Sequence, residues 1–267
     1  MKNKNTKAAD KRMGFRFRHF IIILLSVLIF FTAVELITLI LQKGVISSQY
    51  GQANQSEKID HSLYSQEVVK MLREKAYLTG RIDMAKTNGI SLVVDLEDSV
   101  IRLELKGVVI HKAPILNYSK SRLFECSDQF AISKLLSLPG TVISYEGTLP
   151  KEAIIVKIAP KDTTEANNRP DIAPDTSKIE AVYYNLKLDN GINLHISQIE
   201  AKSYKGKLAG FIFYSREYFS ALWNNTTTLI SLKRPKLQIN LWIKMDAKDG
   251  RIIYRSLPPN AHVTVRL

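Results

Sequence analysis

Residues 20–42 form one long apolar run, FIIILLSVLIFFTAVELITLILQ, and this run constrains the chain more than any other feature. As an α-helix it measures about 34 Å, which is enough to cross the hydrocarbon core of a bilayer with some tilt. A core helix of this length would need a polar face, and a cleaved signal peptide has a shorter apolar region that ends in small residues. The run therefore predicts an uncleaved transmembrane anchor.

Basic residues lie almost entirely on one side of the anchor. Residues 1–19 carry seven Lys or Arg side chains against one acid, Asp10, whereas Lys43 is the only basic residue between the anchor and Lys58. By the positive-inside rule, residues 1–19 are a cytoplasmic tail and the chain after residue 42 lies outside. We expect a single-pass protein of the inner (cytoplasmic) membrane with an extracytoplasmic C-terminal domain.

Glu35 interrupts the apolar run, and an ionisable group within a membrane is a candidate functional residue. One interpretation is that Glu35 is protonated or extends toward the membrane surface at modest cost. The other is that it binds a partner helix, flanked by Thr32 and Thr38. These three residues are the candidate partner-binding site within the membrane.

Charge and motif content exclude several classes of function. The formal net charge is +13, and residues 1–19 carry +6 of it, from seven basic side chains and one acid. The remaining +7 is spread over the rest of the chain, which therefore does not predict nucleic-acid binding. The dense basic block is better explained by topology and by contact with anionic lipids. No metal-binding, nucleotide-binding or G-x-S-x-G motif occurs, and the five histidines are scattered. We therefore expect neither a cofactor nor a bound metal.

Residues 43–89 separate the anchor from the rest of the chain. Residues 44–54 are small and polar, as in a short linker, and residues 55–86 repeat apolar side chains at mostly helical spacing. That spacing predicts an amphipathic helical stalk that ends at Asn88 and Gly89, although Gly80 weakens its middle. The stalk either self-associates as a coiled coil, which gives a homo-oligomer, or packs on its own domain.

Period-two alternation begins at Ile90 and predicts a β-rich domain over residues 90–267. Three strands over 90–115 form an antiparallel meander, and Asp189, Asn190 and Gly191 join the strands of a second hairpin. Further strands are expected at 152–158, 208–214, 237–245, 252–254 and 263–267, with helices that begin at Ser127 and Ser215.

Residues 160–178 contain three prolines and few large apolar side chains, which predicts an exposed, mobile loop, either a lid or a plain insertion. The predicted fold class is α+β. An N-terminal transmembrane helix and helical stalk are followed by a mainly antiparallel β extracytoplasmic domain.

His195 and Cys126 are the candidate residues for a site in this domain. Asn193, His195 and Ser197 share the strand face opposite the apolar layer, so His195 points away from that layer. The alternative is an ordinary solvated histidine. Cys126 is the single cysteine, so no disulfide forms within the chain, and its thiol is either buried and apolar or exposed and reactive.

Several strand and turn segments resemble the L,D-transpeptidase (YkuD-type) domains of bacterial cell-wall enzymes, namely residues 93–109, the strand around His195 and the closing segment 258–265. The resemblance implies a β-rich fold and, in an active member, cross-linking of peptidoglycan through a cysteine nucleophile. The family carries a Ser-x-Gly-Cys segment downstream of its histidine, whereas here no cysteine follows His195 and Cys126 precedes it. Because acyl transfer requires an activated thiol, the resemblance implies a member without that activity.

The most direct interpretation is a membrane-anchored envelope protein, either a non-catalytic scaffold or a binding subunit of an envelope complex. Its expected partners are the membrane, other envelope proteins and, as a further alternative, peptidoglycan. Two hypotheses compete with it: a cell-wall enzyme that uses His195 or Cys126, and a sensor or secretion-system subunit that signals through the anchor. The missing motifs favour a binding role over an enzymatic one.

Overall fold

The apolar run is part of a single helix in the computed structural model, which describes residues 4–51, 66–149, 181–199 and 203–267. Helix α1 covers Lys4–Tyr50, and its part Ile21–Tyr50 is long and apolar enough, by length and composition, to cross a membrane. The helix continues past residue 42 into the segment predicted as a linker, because Ile46 and Tyr50 extend an apolar face that packs against the domain core. Gln42 Nε2 also donates a hydrogen bond to the carbonyl oxygen of Lys236 at 3.1 Å.

The predicted meander is confirmed. Strands β1 (Ile90–Asp95), β2 (Val100–Leu105) and β3 (Val108–Pro114) pair antiparallel in chain order. The turn between β2 and β3 places Lys106 and Gly107 at φ values of 53° and 80°, where glycine is free of the steric penalty of a Cβ.

Next along the chain come β4 (Asn117–Lys120), α3 (Leu123–Cys126), α4 (Gln129–Ser137) and β5 (Gly140–Gly147). The N-cap of α4 is Asp128 and not the predicted Ser127, because the Asp128 carboxylate accepts hydrogen bonds from two backbone N–H groups of the first turn. The strand expected at 152–158 and the loop expected at 160–178 lie outside the described residues.

The second hairpin is confirmed as β6 (Tyr183–Leu188) and β7 (Ile192–Gln198), and the last strands are β8 (Ile239–Met245) and β9 (His262–Arg266). Two predictions in between are wrong. Residues 208–214 belong to helix α5 (Tyr204–Ile230) and not to a strand, and residues 252–254 belong to helix α6 (Ala247–Ser256) and not to a strand. Both helices begin at a side-chain cap, Ser203 and Asp246, and tertiary packing outweighs the β propensity of their aromatic and β-branched residues.

Within the described residues, nine strands form one sheet in the order β3-β2-β1-β9-β5-β6-β7-β8-β4. The β1–β9 and β7–β8 pairs are parallel and the other pairs are antiparallel. One face of the sheet packs with α4, α6 and the C-terminal end of α1 around a core that includes Phe124, Leu135, Leu186, Leu194 and Leu241. The chain is therefore α+β, with a long apolar N-terminal helix and a mainly sheet C-terminal domain.

Helix α2 (Gln66–Ala85) packs on its own domain, which is one of the two alternatives for the predicted stalk. Tyr77 and Met84 pack on Val93 of β1, and Gly80 approaches β9 so closely that an added Cβ would lie 2.6 Å from Thr264 Oγ1. Because Gly80 has no side chain, α2 can approach β9 this closely. In a free helix the same glycine would only lower the stability of the helix.

Charged residues link α2 to three strands. Asp95 Oδ2 lies 3.0 Å from Arg102 Nη1 and 3.3 Å from Arg266 Nη1, and Arg266 Nη2 lies 2.8 Å from Glu74 on α2. Burial alone would raise the pKa of Asp95, but the Asp98 N–H and the two guanidinium groups outweigh it and hold that pKa below 3.8.

Candidate functional site

The polar face of strands β6, β7 and β8 is covered by helix α5, and a cavity of about 280 Å³ lies between them. Five amide side chains line the cavity. They come from the strands, from the segment just before β8 and from the helix: Asn185, Asn193, Asn224, Gln238 and Asn240. His195, Trp242 and Lys187 face the same space, while the alternate residues of each strand enter the core. The predicted orientation of His195, away from the apolar layer, is therefore correct.

His195 is buried under α5 and is not the solvated histidine that the alternation alone indicates, because only 8% of its surface is exposed. Its ring stacks on Trp242 with centroids 5.5 Å apart and planes 15° apart. His195 Nε2 lies 3.3 Å from Asn240 Oδ1, which fixes Nε2 as the protonated nitrogen and leaves the lone pair of Nδ1 without a partner among the described residues. Burial lowers the pKa of His195 below 6.5, although the bond to Asn240 acts in the other direction.

A pair of carboxyl groups lies at one side of the cavity. Glu217 of α5 is hydrogen-bonded to Glu146 of β5, Lys187 Nζ lies 2.6 Å from Glu146 Oε1, and Asn185 Nδ2 donates to Glu217 Oε2 at 3.0 Å. Burial, together with the adjacent Glu146, raises the pKa of Glu217. Burial would also raise the pKa of Glu146, but hydrogen bonds from Glu217 and Lys187 outweigh it and lower that pKa. Of the two carboxyl groups, Glu217 therefore has the greater affinity for a proton.

The side chains that line the cavity offer several groups that can bind a ligand. Amides and a lysine provide donors, amide oxygens provide acceptors, and Trp242 provides a flat apolar surface. His195 is bonded to an amide and not to a hydroxyl or thiol that it could activate. Glu217 and Glu146 are bonded to each other, so they do not flank a space in which a substrate bond could lie.

Cys126 is separate from this cavity. It is the last residue of α3, its side chain is exposed, and it is not among the described residues that line the space under α5. The structure therefore does not bring together the two residues that the sequence nominates for an extracytoplasmic site. Among the described residues, no group of three His, Cys, Asp or Glu side chains is placed to hold a metal ion.

Glu35 contacts a helix of its own chain. Tyr218 Oη of α5 donates a hydrogen bond to Glu35 Oε1 at 3.0 Å, so α5 connects the apolar helix to the roof of the cavity. Thr38 is buried and Thr32 is exposed, and each hydroxyl donates to a backbone carbonyl of its own helix, Val34 and Ile29 respectively.

Glu217, Asn185 and Trp242 are site residues that sequence reasoning did not nominate. Strand alternation places Asn240 and Trp242 on one face, and the amide-rich polar face of β7 and β8 was a usable signal. The helix predicted to begin at Ser215 corresponds to the second half of α5, but nothing in the sequence indicated that it would place Glu217 over that face.

No protein-family model and no curated protein sequence matches the chain. Among solved structures, L,D-transpeptidase 1 of Mycobacterium tuberculosis is similar at 10% identity and a TM-score of 0.27, over 66% of this chain and 61% of that one. An L,D-transpeptidase from Mycobacterium smegmatis has 11% identity and a TM-score of 0.24, over 67% and 58% of the two chains.

L,D-transpeptidase 3 of Mycobacterium tuberculosis, solved with a faropenem-derived adduct, has 13% identity and a TM-score of 0.26, over 67% of this chain and 60% of that one. The chain therefore spans about three fifths of the length of these structures. Its likeness to L,D-transpeptidases is weak and partial.

Proposed function

We propose that this is a single-pass, membrane-anchored envelope protein whose sheet domain is a non-catalytic binding module, with the cavity under α5 as its binding site. The observation that carries the proposal is the set of polar side chains that line that cavity, among them Asn185, Asn193 and Asn240. His195 Nδ1 and Asn185 Oδ1 are buried and have no hydrogen-bond partner among the described residues. Buried polar groups are costly when unpaired, and such groups occur at functional sites.

The ligand that fits is small, neutral and rich in hydroxyl and amide groups. The amide side chains can exchange paired hydrogen bonds with such groups, and the exposed face of Trp242 can pack on an apolar ring face. The sugar units of peptidoglycan have this chemistry, and they occur on the side of the membrane where we place the domain. Peptidoglycan is accordingly the proposed ligand, and other envelope proteins remain the proposed partners of the outer surface.

Binding of soluble peptidoglycan fragments to the full chain in nanodiscs tests the proposal. We expect saturable binding by calorimetry, and we expect Asn193→Ala to weaken it by about 1–3 kcal/mol because the variant leaves ligand groups unpaired. Asn117→Ala is the matched control, since Asn117 is an exposed amide on β4 that does not line the cavity. Equal affinity of both variants and the wild type, or no binding at all, contradicts the assignment of the cavity.

A cell-wall enzyme is the second candidate, and one observation favours it. Glu217 and Glu146 have pKa values shifted in opposite directions beside a buried histidine, a pattern that occurs in acid–base catalysis. Turnover of peptidoglycan that is abolished by Glu217→Gln or His195→Gln would establish this candidate. Turnover that is lost in Cys126→Ser would instead establish a thiol enzyme.

A further inference from the structure

Helix α5 exposes a stripe of large apolar side chains on the face that points away from the cavity. Phe211, Phe219 and Trp223 are 70%, 67% and 71% exposed, and Leu208, Ile212 and Ile230 extend the same stripe. Their spacing follows the helical repeat, so they form one continuous surface. Soluble monomers rarely leave a surface of this kind uncovered.

The orientation of α5 is set by its opposite face. Gly210 packs so closely on Tyr183 that an added Cβ would lie 2.5 Å from the ring, and Asn185 holds Glu217. These contacts fix the rotation of the helix about its axis. The aromatic stripe is therefore a stable outer surface of the folded domain.

The position of α5 along α1 indicates what covers the stripe. The two helices pack against each other, with Tyr218 bonded to Glu35 and with Thr38 and Leu222 both buried. Glu35 and Thr38 lie in the outer half of residues 20–42. A helix that touches this part of α1 lies below the outer boundary of the hydrocarbon core, within the depth of about 5–10 Å that interfacial helices reach.

The apolar surface of α1 continues that of α5. Leu36, Ile37 and Ile40 are exposed on α1 at the level of the contact. Exposed cations lie at both ends of α5, with Lys205 and Lys207 in its first turn and Lys233 and Arg234 just beyond its last. Aromatic and aliphatic side chains on one face, with basic residues beside them, are typical of helices that lie in the membrane interface.

We propose that α5 lies on the outer leaflet of the membrane, with its aromatic stripe among the acyl chains near the phospholipid headgroups. The occupant of the stripe is phospholipid and not a second protein. The proposal rests on the proposed function, because the depth of α5 follows from α1 being the anchor. It places the cavity directly above the membrane surface, with α5 as the layer between ligand and lipid.

Tryptophan fluorescence tests this placement, because the chain has two tryptophans, Trp223 on the stripe and Trp242 in the cavity. The full chain is reconstituted in phosphatidylcholine–phosphatidylglycerol vesicles, with or without bromine on carbons 6 and 7 of one acyl chain. In Trp242→Phe, where Trp223 is the only emitter, we expect brominated lipid to quench most of the emission, because the ring lies among the brominated acyl chains. In Trp223→Phe, emission from Trp242 should change little.

A second measurement leaves Trp242 intact. A spin label on Phe219→Cys, in a Cys126→Ser background, should be more accessible to oxygen than to a water-soluble nickel complex. Equal quenching of the two tryptophans, or greater access of the nickel complex, overturns the placement of α5. Loss of the protein from the vesicles on carbonate extraction instead refutes the anchor, and with it the proposed function.

Discussion

His195 makes the domain sensitive to pH because it is buried in its neutral form. Its folded-state pKa lies below 6.5, so between that value and pH 6.5 the unfolded chain binds more protons than the folded chain. The free energy of unfolding should therefore fall as the pH drops below about 6.5. In His195→Gln this part of the pH dependence should disappear, as measured by urea unfolding between pH 8 and pH 5. Identical slopes for the two proteins would show that His195 does not titrate with folding.

Asp95 is the central carboxylate among the charged residues that link α2 to strands β1, β2 and β9. Its side chain is 1% exposed and faces Arg102 and Arg266, which are also largely buried. Asp95→Ala leaves two guanidinium groups without their shared carboxylate, and we expect the free energy of unfolding to fall by about 3–5 kcal/mol. Lys70→Ala is the matched control, since the Lys70–Glu97 pair is exposed and should contribute about 1 kcal/mol or less. Equal effects of the two substitutions would contradict the structural role of Asp95.

At the residue scale, the alternation of apolar and polar residues along β7 predicted which face of the strand His195 occupies. It did not predict that His195 would be buried. Asn193, His195 and Ser197 share a polar face in the structure as in the sequence pattern. Their burial depends on α5, which approaches from a distant part of the chain. Local patterns predict the direction of a strand side chain, whereas burial is a property of the assembled layers.

At the scale of elements, Gly80 distinguishes the two alternatives for α2. In a free, self-associating stalk, Gly80→Ala should stabilise the helix by about 1 kcal/mol. In the packed helix, the new methyl group meets Thr264 Oγ1, and we expect a loss of about 1–3 kcal/mol. Thermal unfolding measures the difference, with Gly44→Ala as a control, because a Cβ at Gly44 meets no atom within 4 Å. A stabilised Gly80→Ala variant would favour the stalk.

The Glu35–Tyr218 bond belongs to the same scale, since it joins α1 to α5. A double-mutant cycle with Glu35→Leu and Tyr218→Phe should give a coupling of about 0.5–1.5 kcal/mol in thermal unfolding of the nanodisc-bound chain. Thr32→Val, which alters an exposed hydroxyl bonded only within its own helix turn, should show no coupling to Tyr218→Phe. Additive effects of Glu35→Leu and Tyr218→Phe would mean that the bond does not hold the helices together.

The errors in element type have a common physical origin. Residues 208–214 contain consecutive aromatic and β-branched side chains, which favour a strand when judged locally. In α5, Phe211 and Ile212 lie on the outer stripe and Tyr214 lines the cavity, and the Ser203 cap with the Gly210–Tyr183 contact determines the helix. A helix that is apolar toward lipid and polar toward the cavity reverses the usual amphipathic pattern, so periodicity alone did not identify it.

At the scale of the whole molecule, hairpins could be predicted and the sheet order could not. The meander and the hairpin of β6 and β7 follow from alternation and turn residues close in the chain. The insertion of β9 between β1 and β5 depends on contacts over more than a hundred residues, such as Arg266 with Asp95. The long apolar helix was predictable because length and apolarity are local properties, whereas the cavity was not because α5 closes it.

The central claim is that α1 holds the domain on the outer side of the cytoplasmic membrane. Cys126 tests it directly, since it is the only cysteine and its thiol is exposed. Cells with an intact cytoplasmic membrane are treated with a membrane-impermeant maleimide, with Cys126→Ser as the unlabelled control. Labelling of Cys126 before lysis is the result that this account predicts. Labelling only after the cytoplasmic membrane is broken would contradict it.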